Sequence, residues 1–114
     1  MYSGVIVEES LLDNRILNDF KINSVRITTS ETPEDRWHLY DVTVTSDQID
    51  LLSTQLKSSG WYADFRSPDS IVVVFPGKKF EFSYDDKVSY NDVIAYGQSV
   101  GVPLEQLDFK ISKE

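Results

Sequence analysis

The amino-acid sequence predicts an α+β fold, with a single largely antiparallel sheet and helices mainly on one face. The first observation is a series of short runs rich in β-branched and aromatic residues, which is the pattern of strands. The second is three stretches with apolar side chains at helical spacing, each preceded by a serine. The third is the brevity of connections such as Pro76-Gly77, because only antiparallel neighbours can be joined by a tight turn.

The chain is predicted to begin with a strand and a helix. Residues 4–8 are β-branched and bounded by polar residues, which indicates a strand. Over residues 11–20, the side chains of Leu12, Ile16 and Phe20 recur every four positions. That spacing places them on one side of a helix, so we expect an apolar stripe that packs on the sheet.

Two strands follow the first helix. Residues 23–29 predict a strand with Val25 and Ile27 facing inward. A polar turn that contains Pro33 separates it from a strand over residues 36–45, whose even-numbered side chains form the better core face.

A second helix begins at Ser46 and is expected to end at Gly60, because glycine suits the left-handed conformation of a helix stop. Three short strands then follow in quick succession, over residues 61–66, 70–75 and 79–84. Residues 71–75 are apolar at every position, which indicates burial on both faces and hence a central strand.

A third helix is predicted to start with Ser89 as its cap and to end at Gly101, with Gly97 on its apolar face. The tail after it offers four apolar anchors, Leu104, Leu107, Phe109 and Ile111. The predicted order is β-α-β-β-α-β-β-β-α, and its first six elements follow the split β-α-β pattern of ferredoxin-like folds. We expect residues 1–114 to form a single α+β domain.

Composition excludes several classes of function. The 114 residues include 11 Lys and Arg against 19 Asp and Glu, for a net charge of −8, and no cysteine. Disulfides and thiol catalysis are therefore excluded, and nucleic acid is disfavoured as a partner because phosphates attract basic residues. With no long apolar run and no basic, apolar leader, we expect a cytoplasmic protein that does not enter a membrane.

Aromatic residues are the most suggestive feature for function. In the predicted fold, the strands that begin near Trp37 and Trp61 run parallel, so both tryptophans start at one end of the sheet. Rings with polar tips can line a pocket or a protein interface, although core packing explains many of them. The sequence therefore predicts a binding surface built from Trp37, His38, Tyr40, Trp61, Tyr62 and Asp64. Its partner would be an unknown small molecule or a protein, with a homodimer left open.

The alternative is a small enzyme. His38 is the sole histidine and could act as a general base, with Asp41 or Asp64 orienting it. The spacing shows no catalytic motif, so no catalytic residue is assigned. A third alternative is an acidic mimic of nucleic acid, which would need carboxylates arrayed along one elongated face.

The carboxylates are plentiful but match no metal-binding pattern. Asp85-Asp86 lacks the alternation, glycine and distal glutamate of a calcium loop, and Glu8-Glu9 fits a solvated acidic face. No glycine-rich phosphate loop is present between a strand and a helix. We therefore expect neither a metal nor a cofactor.

Segments across most of the chain resemble a family of small prokaryotic proteins of about this length, for which no function is established. The residues that carry the resemblance are Trp37-His38-Leu39-Tyr40, Trp61-Tyr62-Ala63-Asp64-Phe65, Phe80-Glu81-Phe82 and the segment over residues 95–109. The resemblance implies an intracellular, stand-alone domain and carries no activity.

Overall fold

The computed structural model describes residues 1–58, 60–103 and 107, and it contains six strands and two α-helices in those residues. The strands are β1 (Tyr2–Val7), β2 (Lys21–Ile27), β3 (His38–Val44), β4 (Ala63–Arg66), β5 (Ser70–Phe75) and β6 (Lys78–Ser83). The helices are α1 (Ser46–Ser53) and α2 (Lys87–Ser99), and three 3-10 helices span Glu8–Ser10, Asn14–Asp19 and Pro33–Asp35. Apart from Leu107, the predicted tail anchors lie outside the described residues.

All six strands form one antiparallel sheet in the order β2-β3-β1-β4-β5-β6. The expected α+β class and antiparallel sheet are therefore confirmed. β1 lies between β3 and β4 and is antiparallel to both, with Gly4 opposite Val42 on one side and Phe65 on the other. Because β3 and β4 share an antiparallel neighbour, they run parallel to each other and start at the same end of the sheet.

The two α-helices pack on opposite faces of the sheet, which corrects the expectation that helices lie mainly on one face. Val72 and Val74 of β5 pack in a cluster with Ile49 and Leu52 of α1. Their neighbour Val73 packs instead in a second cluster that includes α2. Successive side chains of a strand point to opposite faces, so we call these the α1 face and the α2 face.

The predicted helix over residues 11–20 is wrong. The structure has 3-10 helices before and after Leu11, which forms an isolated antiparallel bridge with Leu56. The Leu12 amide donates to the Gln55 carbonyl at 2.7 Å, and the Asp13 carboxylate accepts from the Arg15 amide at 3.0 Å. Leu11 and Asp13 are held in extended backbone conformation, which an α-helix cannot include, and the Asp and Asn residues of the segment disfavour helix interiors.

α1 begins at Ser46 as predicted, whereas the end of α1 and the cap of α2 differ from the prediction. α1 begins after Thr45, which forms a capping box with Gln48, and it ends at Ser53, well before Gly60. Gly60 does adopt a left-handed backbone, with φ of 96°, but in the loop that follows the Leu56 bridge. The cap of α2 is the Asp86 carboxylate, which accepts from the amide of the predicted cap Ser89 at 3.0 Å.

Burial is distributed unevenly across the sheet. Residues 71–75 of β5 are buried at every position, so the predicted central strand is confirmed as interior and covered on both faces. Val42 and Val44 of β3 are buried as the even-numbered pattern predicts. β2 lies at the sheet edge and all of its residues are exposed, which corrects the expectation that Val25 and Ile27 belong to the core. Within the described residues, no helix has the length and apolar character needed to cross a membrane.

Candidate functional site: an aromatic pair and a carboxylate-histidine pair at one sheet end

Trp37 and Trp61 meet at the end of the sheet where β3 and β4 begin. Their rings are in edge-to-face contact, with centroids 5.3 Å apart and planes inclined at 61°. The backbone of Trp37 is anchored on Thr28, whose hydroxyl accepts from the Trp37 amide at 2.8 Å and whose amide donates to the Trp37 carbonyl at 2.9 Å. The side chain of Trp37 nevertheless remains 36% exposed, so the pair is accessible from solvent.

A small cavity lies beside Trp61. It measures about 280 Å³ and is lined by Ser58, Gly60, Trp61, Pro76 and Val100. Its walls are mostly apolar, and the Ser58 hydroxyl adds a polar group. We refer to Trp37, Trp61 and this cavity together as the tryptophan patch. Of the five residues that line the cavity, only Trp61 was among the predicted binding residues. The sequence does not show that the segments carrying Ser58, Pro76 and Val100 come together.

His38 forms a hydrogen-bonded pair with Glu9 on the α1 face. The Nδ1 atom of His38 lies 2.7 Å from Glu9 Oε2, and the His38 amide donates to Glu9 Oε1 at 2.9 Å. The hydrogen bond to Glu9 raises the pKa of His38, although some desolvation opposes it. Burial raises the pKa of Glu9, but the hydrogen bonds from His38 outweigh it and leave this pKa lowered. Both side chains are partly exposed, so the pair is open to water.

Tyr40 repeats this arrangement two residues along β3. Its hydroxyl donates to Glu8 Oε1 at 2.5 Å, and that hydrogen bond to a carboxylate raises the pKa of the Tyr40 phenol. The acidic pair Glu8-Glu9 thus binds two successive side chains on the α1 face of β3. Sequence analysis assigned these glutamates to a solvated acidic face. Their role depends on the register of β1 against β3, which places Val7 opposite Leu39.

The remaining predicted site residues lie elsewhere. Tyr62 packs in the cluster on the α2 face, where its ring centroid is 5.8 Å from that of Phe75. Asp64 is opposite Val73 on the same face and has an oxygen 3.9 Å from Arg66 Nε. The structure therefore brings Trp37 and Trp61 together, places His38 and Tyr40 on the α1 face, and separates Tyr62 and Asp64 from both.

The carboxylate partner that the enzyme alternative assigned to His38 is also corrected. Asp41 is an odd-numbered residue of β3 and therefore points to the opposite face from His38. Asp64 points to the α2 face as well, because its cross-strand neighbour Val73 does so. Glu9 occupies the orienting position instead. Among residues 1–58, 60–103 and 107, no three His, Asp or Glu side chains group in a way that could hold a metal ion.

Comparison of the chain with protein-family models, with curated proteins and with solved structures gives no significant match in any of the three. The resemblance to a family of small prokaryotic proteins therefore stays an expectation. The site has to be interpreted from its own geometry.

Proposed function

We propose that this protein is a small recognition module that binds a partner through the tryptophan patch. The observation that carries the proposal is the exposed ring of Trp37 packed edge-to-face on Trp61, which in turn forms a wall of the cavity. Tryptophan contributes a large contact area with few rotatable bonds, and it is enriched among the residues that dominate binding energy at interfaces. An exposed pair beside a cavity is suited to recognition.

The size of the cavity favours a protein partner over a metabolite. Its volume of about 280 Å³ is at the lower limit for sites that enclose small-molecule ligands, which occupy roughly 300–1,000 Å³. A single ring or branched aliphatic side chain is a better match for this volume. We propose that such a side chain of the partner enters the cavity against Trp61, Pro76 and Val100 while Trp37 covers the rim.

Nuclear magnetic resonance tests this proposal directly, because the two indole N–H groups report separately on the two rings. The acetylated amides of proline, leucine and phenylalanine serve as probes for a partner side chain. We expect at least one of them to shift the Trp61 indole signal in a saturable way. Replacing Ser58 with leucine should fill the cavity and abolish the shift, whereas Val88→Ala, at a residue that is 73% exposed on α2, should leave it unchanged.

Absence of any indole shift with all three probes would contradict the proposal. A shift that persists unchanged in Ser58→Leu would show that the probes bind outside the cavity. Trp37→Ala is expected to keep the fold, because the ring is partly exposed, and to weaken binding to a protein partner by tenfold or more, as about 2 kcal/mol at an interfacial tryptophan implies.

The second candidate function is a small enzyme that uses His38 in acid-base chemistry. The observation that favours it is the Glu9–His38 pair, in which a carboxylate holds the ring through Nδ1. One observation weighs against it. His38 is not among the residues that line the cavity beside Trp61, so the pair has no enclosed space for a substrate on that side.

An activated ester such as p-nitrophenyl acetate discriminates between the two candidates. Hydrolysis above the rate in buffer that disappears in His38→Gln but survives in Trp37→Ala would favour the enzyme. Rates equal to buffer for wild type and both variants are expected if the protein is a recognition module.

The ferredoxin-like assignment and the cytoplasmic location are parts of the same proposal. Support for the former comes from the order β2-β3-β1-β4 with antiparallel neighbours throughout, in which β3 lies between β1 and β2. In this view, the 3-10 helix Asn14–Asp19 stands where the first helix of a split β-α-β unit would be.

A further inference from the structure

β2 is an edge strand whose outer side has no neighbour. It is the terminal strand of the sheet, paired on one side with β3, and every one of its residues is exposed. Among the described residues, no backbone hydrogen bond reaches β2 from its outer side. An edge with unpaired amides and carbonyls is a template for an additional strand.

A β-bulge in β2 changes which of its side chains share a face of the sheet. The pairing with β3 shifts register between Ile22 and Ser24, so Asn23 is the extra residue. Without the bulge, Ile22 and Val25 would point to opposite faces because their numbers differ in parity. With it, Ile22, Val25 and Ile27 all lie opposite even-numbered residues of β3 and therefore share the α1 face.

These three aliphatic side chains form an uncovered row. Ile22, Val25 and Ile27 are 40%, 52% and 56% exposed. The buried cluster on the α1 face takes its strand residues from β1, β3, β4 and β5, and within the described residues none comes from β2. The row is therefore an apolar extension of the core face beyond the region that α1 covers.

The basic residues of β2 lie on the other face. Lys21 is opposite Thr43 and Arg26 is opposite Leu39, which are odd-numbered positions of β3. β2 contains no acidic residue, although the chain as a whole has a net charge of −8. Neither basic side chain has an ion-pair partner among residues 1–58, 60–103 and 107.

We propose that the β2 edge binds an extended segment of a partner protein in which apolar and acidic side chains alternate. Such a segment adds a seventh strand through main-chain hydrogen bonds, in the manner of β-augmentation. Its apolar side chains lie on the α1 face beside Ile22, Val25 and Ile27, and its carboxylates lie on the opposite face beside Lys21 and Arg26. The alternation follows from strand geometry, because an added strand also points successive side chains to opposite faces.

Charge distinguishes this partner from a second copy of the chain. Antiparallel pairing of β2 with β2 of another copy would bring Lys21 and Arg26 of both copies together on one face, where like charges repel. The repulsion of an acidic segment by distant parts of the protein is screened beyond about 8 Å at physiological salt. On this face, β2 and the β3 residues opposite it carry two basic groups, Lys21 and Arg26, and one carboxylate, Asp41, which accepts a hydrogen bond from the Ser24 hydroxyl at 3.4 Å. The local charge is therefore positive and favours an acidic segment. The inference goes beyond the tryptophan patch, because it needs neither the cavity nor Trp61.

The test uses the full chain labelled with nitrogen-15 and two acetylated hexapeptide amides, Val-Glu-Val-Glu-Val-Glu and Val-Lys-Val-Lys-Val-Lys. We expect the glutamate peptide to shift the amide signals of β2 and to bind at least about tenfold more tightly than the lysine peptide. The double variant Lys21→Glu/Arg26→Glu should reverse this preference. The matched control Lys57→Glu/Lys87→Glu makes the same charge change at two exposed lysines outside β2 and should retain the wild-type preference.

Other outcomes overturn the inference in different ways. Equal binding of both peptides would show that the aliphatic row acts without charge selection. Changes in the β2 signals with protein concentration alone would identify a second copy as the occupant. A β2 edge that neither peptide perturbs would mean that Lys21 and Arg26 protect it from pairing. Trp37→Ala should change the affinity for the glutamate peptide by less than about twofold. Loss of peptide binding in this variant would show that the β2 edge and the tryptophan patch are one site. If only the cavity probes fail to bind, the proposal for the tryptophan patch is contradicted and the one for β2 is not.

Discussion

β5 and β2 are strands of similar length in one sheet, yet their surroundings are opposite. β5 is hydrogen bonded on both sides and covered on both faces, and residues 71–75 are all buried. β2 is hydrogen bonded on one side, and all its residues are exposed. The aliphatic side chains of β5 stabilise the fold, whereas those of β2 remain available for contacts outside it.

Because the two helices cover opposite faces of the same strand, most apolar burial by helices is in the half of the sheet that contains β5. α1 and α2 enclose β5 between them, so each of its valines removes apolar surface from water. The opposite edge lacks such cover. We expect stability, local opening and recognition to follow this division, and the following experiments test it.

Native-state hydrogen exchange is expected to show the largest difference. The Val73 amide lies in an interior strand and should exchange only through global unfolding, which costs 5–15 kcal/mol in typical domains. The amides of β2 that point away from β3 are unbonded and should exchange at least about a thousandfold faster. Similar exchange for Val73 and for these β2 amides would show that the outer edge of β2 is hydrogen bonded in solution.

Gly4→Ala should be the most destabilising of the substitutions considered. A methyl carbon on Gly4 would lie 2.6 Å from Phe65 Cδ1 and closer still to the Asp64 carbonyl oxygen. The Asp64 carbonyl belongs to the β4 backbone and can shift only if β4 moves away from β1. We therefore expect a loss of about 3 kcal/mol in the free energy of unfolding and weaker β1–β4 pairing. Thermal and urea denaturation measure this loss.

Gly97→Ala provides the matched control in a buried helix position. Its added methyl would lie 2.9 Å from Leu107 Cδ2, the end of a flexible side chain, and 3.3 Å from Cε1 of the buried Phe75 ring. Higher helix propensity, worth up to about 1 kcal/mol, offsets the crowding. Unfolding free energies of the two variants that agree within error would contradict the distinction between backbone and side-chain contacts.

Val73→Ala and Val25→Ala make the same chemical change in the two strands. Val73 is fully buried, so loss of two methyl groups and the resulting cavity should cost about 2–3 kcal/mol. Val25 is 52% exposed, and its substitution should change the unfolding free energy by less than about 0.5 kcal/mol. Comparable losses would place β2 within the cooperative core.

The Glu9–His38 pair should make a small contribution that depends on pH. His38 has a pKa raised above its ordinary value of 6.5, so its contribution to stability is complete below that pH and is lost as pH rises through the folded pKa. Glu9 has a pKa lowered below its ordinary 4.5, so its contribution is present above that pH and is lost in stronger acid. The pair therefore stabilises most between these two values.

Thermal melts of wild type and His38→Gln should consequently differ more at about pH 5.5 than at about pH 8.5. The effect is the smallest of the set because both side chains are partly exposed to solvent. Comparison with Glu9→Gln and with the double variant isolates the coupling. A melting-temperature difference that stays constant across this range would exclude the pair as its source.

The parts of the fold that could be predicted are those in which local pattern and tertiary environment agree. The continuous apolar run over residues 71–75 predicts a doubly covered strand, and β5 is one. The apolar spacing over residues 11–20 predicts a helix, but backbone pairing of Leu11 and Leu12 with a distant segment competes successfully with it. In β2, one bulge residue reverses the side-chain parity, which no periodicity shows.

Parts of the candidate site could likewise be predicted from the sequence, and other parts could not. The position of Trp37 and Trp61 at one end of the sheet could be anticipated from strand direction, whereas the contact of their rings also requires that only β1 separates β3 from β4. The partner of His38 could not, because strand parity excludes Asp41 but only the register of β1 against β3 brings Glu9 to His38. The walls of the cavity come from separate loops, whose approach reflects packing over the whole molecule.

The central position of β1 has a consequence for how the protein is made. β1 leaves the ribosome before β3 and β4, yet it lies between them, with Tyr2 opposite Val44 and Gly4 opposite Phe65. Its two partners are therefore separated from it by tens of residues of chain that must be synthesised first. Until then, its valines and isoleucine have no partner strands on the nascent chain, and exposed apolar surface of this kind is what chaperones bind.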